Sequence, residues 1–193
     1  MKERQIEQLR RRVAEGGDEG DARALAAGGA EAVGAVLRAS ERGAPEGRDF
    51  RDWEGDLGQI LARIAEVDPT PILAELEARP EHARKLLWAL GGSEHERAVA
   101  ALLEALSHRK AEIRWVAVHG LAKNRARPVV TALADRMVND RSTKVRFAAL
   151  EALSSFEDLS VLGPLEEFLD RRAHLAGEVR IASKAIERIL RKT

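Results

Sequence analysis

Asp140-Arg141-Ser142-Thr143-Lys144-Val145-Arg146, running on into Phe147-Ala148-Ala149-Leu150-Glu151-Ala152-Leu153, decides the fold. A polar turn leads into an aliphatic–Arg pair, and an Ala- and Leu-rich helix follows. The same unit stands 32 residues earlier as His108-Arg109-Lys110-Ala111-Glu112-Ile113-Arg114, continued by Trp115-Val116-Ala117-Val118-His119-Gly120-Leu121. A weaker copy, His174-Leu175-Ala176-Gly177-Glu178-Val179-Arg180, begins 34 residues later. Self-similarity at this period marks a stack of helical hairpins, each burying its apolar faces against its neighbours.

The unit itself says how it packs. Val145, Ala148, Ala149, Ala152 and Leu153 fall on one helical face, and Phe147 and Leu150 on another. A helix apolar on two faces belongs between neighbours. Small residues at Ala117, Gly120, Ala149 and Ala152 let adjacent helices approach closely.

Outward from this unit, helix signals fill the chain. Upstream, Ser93-Glu94-His95-Glu96 reads as a capping box opening a helix to about Leu106. Asp68-Pro69 opens another, Pro80 divides it from the next, and Gly91-Gly92 ends that one. Arg48 to Glu66 is the longest predicted helix, with Phe50, Trp53, Leu57, Ile60, Leu61 and Ile64 as its stripe. Residues 22–42 divide at Gly28-Gly29 into two short helices. Residues 2–15 make a charged helix with a thin stripe of Ile6, Leu9 and Val13, and Gly16-Gly17 starts a linker. Downstream, Asn124 ends the first unit, Pro128 sits in the first turn of the next helix, and residues 159–171 and 178–191 form the last pair. The expectation is an all-α chain of about twelve helices, a right-handed superhelical stack, with residues 1–20 as helix and linker and 21–193 as the repeat domain.

The Val145-Arg146-Phe147-Ala148-Ala149-Leu150 segment, preceded by Asp140, resembles a HEAT repeat. In that family the second helix of each hairpin follows an Asp-Pro turn and carries a Val-Arg pair. The resemblance implies an α-solenoid of armadillo type and a protein-binding scaffold. It also implies a ladder of hydrogen bonds between successive repeats, with Asp140, Arg114, Arg146 and Arg180 as its members. Here Arg141 replaces the family's Pro, and His108 and His174 stand where the family has Asp. The likeness is strongest over roughly 94–156.

Composition excludes several classes. The 193 residues include no Cys, so neither a disulfide framework nor a thiolate metal site is available, which fits a reducing compartment. No apolar run approaches the length of a membrane span, and the N-terminus lacks the apolar core of a secretion signal. These features predict a cytoplasmic protein with no membrane partner. His82, His95, His108, His119 and His174 show no i, i+3 or i, i+4 pair, so no metal is predicted, and no cofactor motif is present. Carboxylate pairs such as Glu166-Glu167 sit on charged faces as solvated charge. No nucleophile elbow or phosphate loop occurs, so the chain does not read as an enzyme.

Net charge is zero but uneven. Residues 1–107 carry 15 Lys+Arg and 21 Asp+Glu, whereas residues 108–193 carry 17 and 11. The basic excess concentrates around the first unit and recurs at the second. Arg109, Lys110, Arg114, Trp115, His119, Lys123, Arg125, Lys144 and Arg146 are therefore the predicted partner-binding residues, with Arg127 and Arg141 extending the strip. Trp53 and Trp88 are placed in the core. Trp115, Phe147 and Ile181 share one repeat position, either as packing or as a row lining a groove. The predicted function is a scaffold binding a protein with an acidic surface. Nucleic-acid binding, as in glycosylases built of such repeats, is the alternative. Helix 2–15 offers a route to homo-oligomers.

Overall fold

The computed structural model describes residues 4, 8, 19–43, 49–156, 158–172 and 174–192, and gives the backbone alone for 19–22 and 50–54. Apart from residues 4 and 8, both helical, the predicted helix at 2–15 lies outside the described residues, as do residues 16–18 of the linker and the side chains of Phe50 and Trp53; residues 19–20, predicted as linker, are helical. Eleven α-helices and two short 3-10 turns are present among the described residues, with no strand. No described helix is long and apolar enough to cross a membrane.

The chain folds as two compact units, residues 1–101 and 102–193. The first holds α1 (Glu19–Ala27), α2 (Gly29–Arg42), α3 (Phe50–Val67), α4 (Thr70–Ala78) and α5 (Ala83–Leu90). Here α1 packs on α3 and α3 on α5, while α2 packs on α4, giving two layers of alternate helices. The boundary falls inside α6 (Glu96–Ala105). The second unit holds α7 (Ala111–Leu121), α8 (Arg127–Asn139), α9 (Thr143–Ser154), α10 (Leu162–Arg172) and α11 (Ala176–Leu190). It repeats the scheme, with α7, α9 and α11 in one layer and α8 and α10 in the other. Consecutive helices are antiparallel, because the connections are too short for anything else.

Five of the helical starts share one local device. A side-chain acceptor two residues ahead takes the first backbone N–H that the helix cannot satisfy itself. Asp68 Oδ1 accepts from the N–H of Thr70 at 2.9 Å, Asn124 Oδ1 from Ala126 at 2.9 Å, Asp140 Oδ1 from Ser142 at 2.8 Å and Asp158 Oδ1 from Ser160 at 2.8 Å. His108 does the same with Nδ1, accepting from Lys110 at 3.1 Å. Histidine can thus stand where the repeat pattern has Asp and keep the turn. The capping box at Ser93 does not form as read. Gly92, with φ 98°, turns the chain so that the Ser93 N–H bonds Leu90 O at 3.1 Å, and Glu96 has no free N–H to reach back to. The Ser93 hydroxyl donates to Ala65 O at 3.2 Å and accepts from the His95 N–H, two residues on, at 3.4 Å.

Each unit has its own core. Leu25, Val33, Leu37, Ile60, Ile64 and Leu86 are buried in the first, and Val116, Leu133, Val145, Leu150, Phe156 and Phe168 in the second. α9 is the most enclosed helix, with Val145, Ala148, Ala149, Leu150, Ala152 and Leu153 all buried between α7, α8 and α11. Trp88, predicted for the core, and Phe147, left open between packing and a groove row, are both outside it. Trp88 is 53% exposed and Phe147 is 38% exposed. On α5 the buried residues Ala83, Leu86, Leu87 and Leu90 share one arc, and at about 100° per residue Trp88 points the opposite way. On α9 only the narrow arc of Lys144, Phe147 and Glu151, with Thr143 at its start, remains exposed.

Phe147 and Leu150 therefore have opposite roles on one helix. Leu150→Ala is expected to cost about 2–5 kcal/mol in urea unfolding. Phe147→Ser is expected to cost less, about 1–2 kcal/mol, because the ring is only partly covered. A large loss at Phe147 would return that ring to the core.

Candidate functional site

The second unit contains the whole predicted site, and the structure divides its cations into two kinds. Arg114 and Arg146 are consumed by the fold. The guanidinium of Arg114 donates from Nε and Nη2 to the two oxygens of Asp140, both at 2.7 Å, and from Nη1 to His108 O at 2.8 Å and Arg109 O at 3.1 Å. One side chain thus ties the loop before α7 to the loop before α9. The Asp140 side chain is fully buried and that of Arg114 is 11% exposed. Burial by itself raises the Asp140 carboxyl, but the Arg114 hydrogen bonds, the Ser142 N–H and the charges of Arg114 and Arg136 outweigh it and hold the group below its ordinary value. The same bonds raise Arg114.

Arg146 repeats half of the arrangement. Its Nη1 donates to Asp140 O at 3.0 Å, as Arg114 does to His108 O, and its Nη2 donates to Thr143 Oγ1 at 3.0 Å. Its Nε is buried without a partner. The next acceptor of the ladder would come from position 174, where an exposed His174 stands. Arg180, implied as a ladder member, is exposed and makes no such bond among the described residues. The stack ends differently, with Arg172 donating to Val138 O at 2.6 and 3.2 Å and Arg188 to Ser154 O at 3.1 Å.

Trp115, His119 and Lys144 come together on the outer face of α7 and α9. The Lys144 ammonium lies 4.0 Å over the Trp115 ring, and His119 meets that ring edge-on at 4.3 Å. Partial burial pushes the His119 imidazole below 6.5, the Glu151 carboxylate pulls it back, and the Lys144 ammonium adds to the fall. The ring is therefore neutral at pH 7. Phe147 continues this face, although basic patterning alone does not select it; the signal was its helical phase.

Arg109 and Lys110 are exposed in the loop before α7, and Arg141 is exposed in the loop before α9. Lys123 and Arg125 lie past the other end of α7, about 16 Å away for an eleven-residue helix. Arg125 is placed 5.8 Å over the Phe156 ring. The predicted residues thus form an edge and an adjoining face at one end, with Lys123 and Arg125 apart from them. A separate groove of about 630 Å³ runs between α8 and α10, lined by Arg127, Thr131, Asp135, Asn139 and Glu167 among others. Its carboxylates are already paired, Asp135 with Arg136 and Glu167 with Arg171. Among the described residues no group of three or more His, Cys, Asp or Glu is placed to hold a metal ion.

Residues 69–154 match the family model for HEAT repeats. This stretch, which contains the ladder and the turns that feed it, is a HEAT-repeat-type all-α domain. No curated protein matches the chain. A solved structure described as an engineered protein is 18% identical, with 95% of this chain and 96% of that chain covered and a TM-score of 0.41.

The Arg114–Asp140 pair can be tested by linkage. The folded pKa of Asp140 lies below the ordinary 3.8, so its contribution is complete above that value and is lost as pH falls through the folded pKa. Arg114→Ala should cost about 3–5 kcal/mol at neutral pH, because it strands a buried carboxylate. Asp140→Asn should also be less stable at pH 7, and its stability should converge on that of the wild type as pH falls from 3.8 through the folded pKa. Parallel curves across this range would deny the pair its role.

Proposed function

We propose that this chain is a non-enzymatic interaction scaffold that holds a protein partner against the exposed face of α7 and α9. Phe147 carries the reading. The packing needs of α9 are met by Val145, Ala148, Ala149, Leu150, Ala152 and Leu153, all buried, yet a large aromatic ring stays 38% exposed. It stands at the repeat position of Trp115, on a neighbouring helix, one turn along α9 from Lys144, whose ammonium lies over the Trp115 ring. Aromatic rings ringed by polar groups are the usual anchors of protein interfaces. The HEAT-type match over 69–154 supports the same class of role.

Nucleic acid is the second reading, drawn from the basic strip over 109–146. Trp115 weighs against it, since the Lys144 ammonium already lies over the ring on which a base would stack. Glu151 also puts negative charge on this face.

The test is proximity labelling in cells with wild type and Phe147→Glu. The variant should still fold, at a cost of about 1–2 kcal/mol that leaves the native state populated. It should lose the proteins that the wild type enriches. An unchanged set of neighbours would remove this face from the proposal.

A further inference from the structure

Resting on the scaffold reading, we infer that the edge formed by Arg109, Lys110, Arg141 and Lys144 docks an acidic protein segment whose apolar residue seats on Phe147.

The argument starts from what each cation touches. Arg114, Arg136, Arg146 and Arg172 are latched to carboxylates or backbone carbonyls of the second unit. Their charge is spent on the stack. Arg109, Lys110, Arg141 and Lys144 are all exposed, and none makes an ion pair with a described carboxylate. The carboxylate nearest in sequence to Arg141, Asp140, is fully buried and occupied by Arg114. Glu112, exposed in the first turn of α7, offsets part of this charge, and four cations against that one carboxylate leave the edge net positive.

Geometry gathers them. Arg109 and Arg141 are repeat-equivalent, and the single Arg114 guanidinium bonds both of their loops. Lys144 is the second residue of α9 and leans over Trp115, which puts its ammonium at the border between edge and face. Phe147 lies three residues further along the same helix, so it follows Lys144 on one side of α9. A ligand matching this order presents carboxylates first and an apolar side chain next. An acidic stretch beside an aromatic or aliphatic residue has that order. A uniform polyanion lacks the apolar element, and Glu151 repels it at the far end of the face.

The full chain is panned against a random-peptide phage library, and enriched peptides are labelled and titrated against purified variants. The inference expects enrichment of Asp and Glu beside a Phe, Leu or Trp. Affinity should fall about tenfold or more in Arg109→Glu/Lys110→Glu and in Arg141→Glu/Lys144→Glu, and also as salt is raised. All four side chains are exposed, so the variants should retain the wild-type melting curve. Single reversals at Arg141 and Lys144 serve if a double variant melts early. Failure to enrich acidic peptides, or binding unchanged by the reversals, overturns the inference. Loss of binding in Phe147→Glu with none in the reversals leaves the scaffold reading standing and removes the acidic segment alone. Labelled oligothymidylate bound more tightly than any peptide, and sensitive to the same reversals, overturns it in favour of nucleic acid. A salt-sensitive dimer abolished by those reversals overturns it in favour of a second copy.

Discussion

The second unit depends on one guanidinium. Arg114 reaches the carboxylate of Asp140 with two parallel hydrogen bonds and the carbonyls of His108 and Arg109 with a third nitrogen. A buried ion pair is stabilising only when its geometry is good and its remaining donors and acceptors are met. Both conditions hold here. Nε, Nη1 and Nη2 all donate, and Asp140 also takes the Ser142 N–H. The pair therefore does more than join two charges. It sets the spacing between successive loops, and the loops set where α7 and α9 begin.

The ladder has a single complete rung, and the reason is chemical. A rung needs an acceptor that opens its own helix and still has an oxygen free for the preceding arginine. Asp140 has two oxygens and does both. His108 has one acceptor nitrogen, and Lys110 N–H occupies it. Histidine at this position preserves the turn and forfeits the rung. At position 174 neither function is kept, Arg146 Nε is left buried without a partner, and the final helix is held by Arg172 and Arg188 on backbone carbonyls.

Much of this was legible beforehand, and the remainder has identifiable causes. Period and apolar spacing predict the hairpins, because stacked helices must bury two faces. The ladder followed only from family resemblance, and it holds at Arg114 and Asp140 but not at Arg180. Trp88 was misplaced, and Phe147 left open between packing and groove, for one reason. Each sits in a run of apolar residues, where hydrophobicity says core and only angular phase says otherwise. On α5 the buried arc runs through Ala83, Leu86, Leu87 and Leu90, and Trp88 lies opposite its centre. Charge patterning has a different weakness. It grouped Arg114 and Arg146 with Arg109 and Lys110, since a latched guanidinium and a solvated one look alike in sequence.

That distinction bears on what the basic half is for. Stacking uses arginine where a planar fork can bond two oxygens or bridge two loops, which lysine cannot do. The charges left over are those with no such geometry to satisfy: Lys110 and Lys144, and the arginines of the two turn loops. They are not free-floating surface charge, because the rung that consumes Arg114 also fixes the loops that carry Arg109 and Arg141. Fixing a loop before a ligand arrives removes part of the ordering entropy that binding otherwise costs. The internal ion pair and the external edge are therefore one construction. The first is closed to solvent and holds the backbone still, and the second presents its charges from a backbone already held.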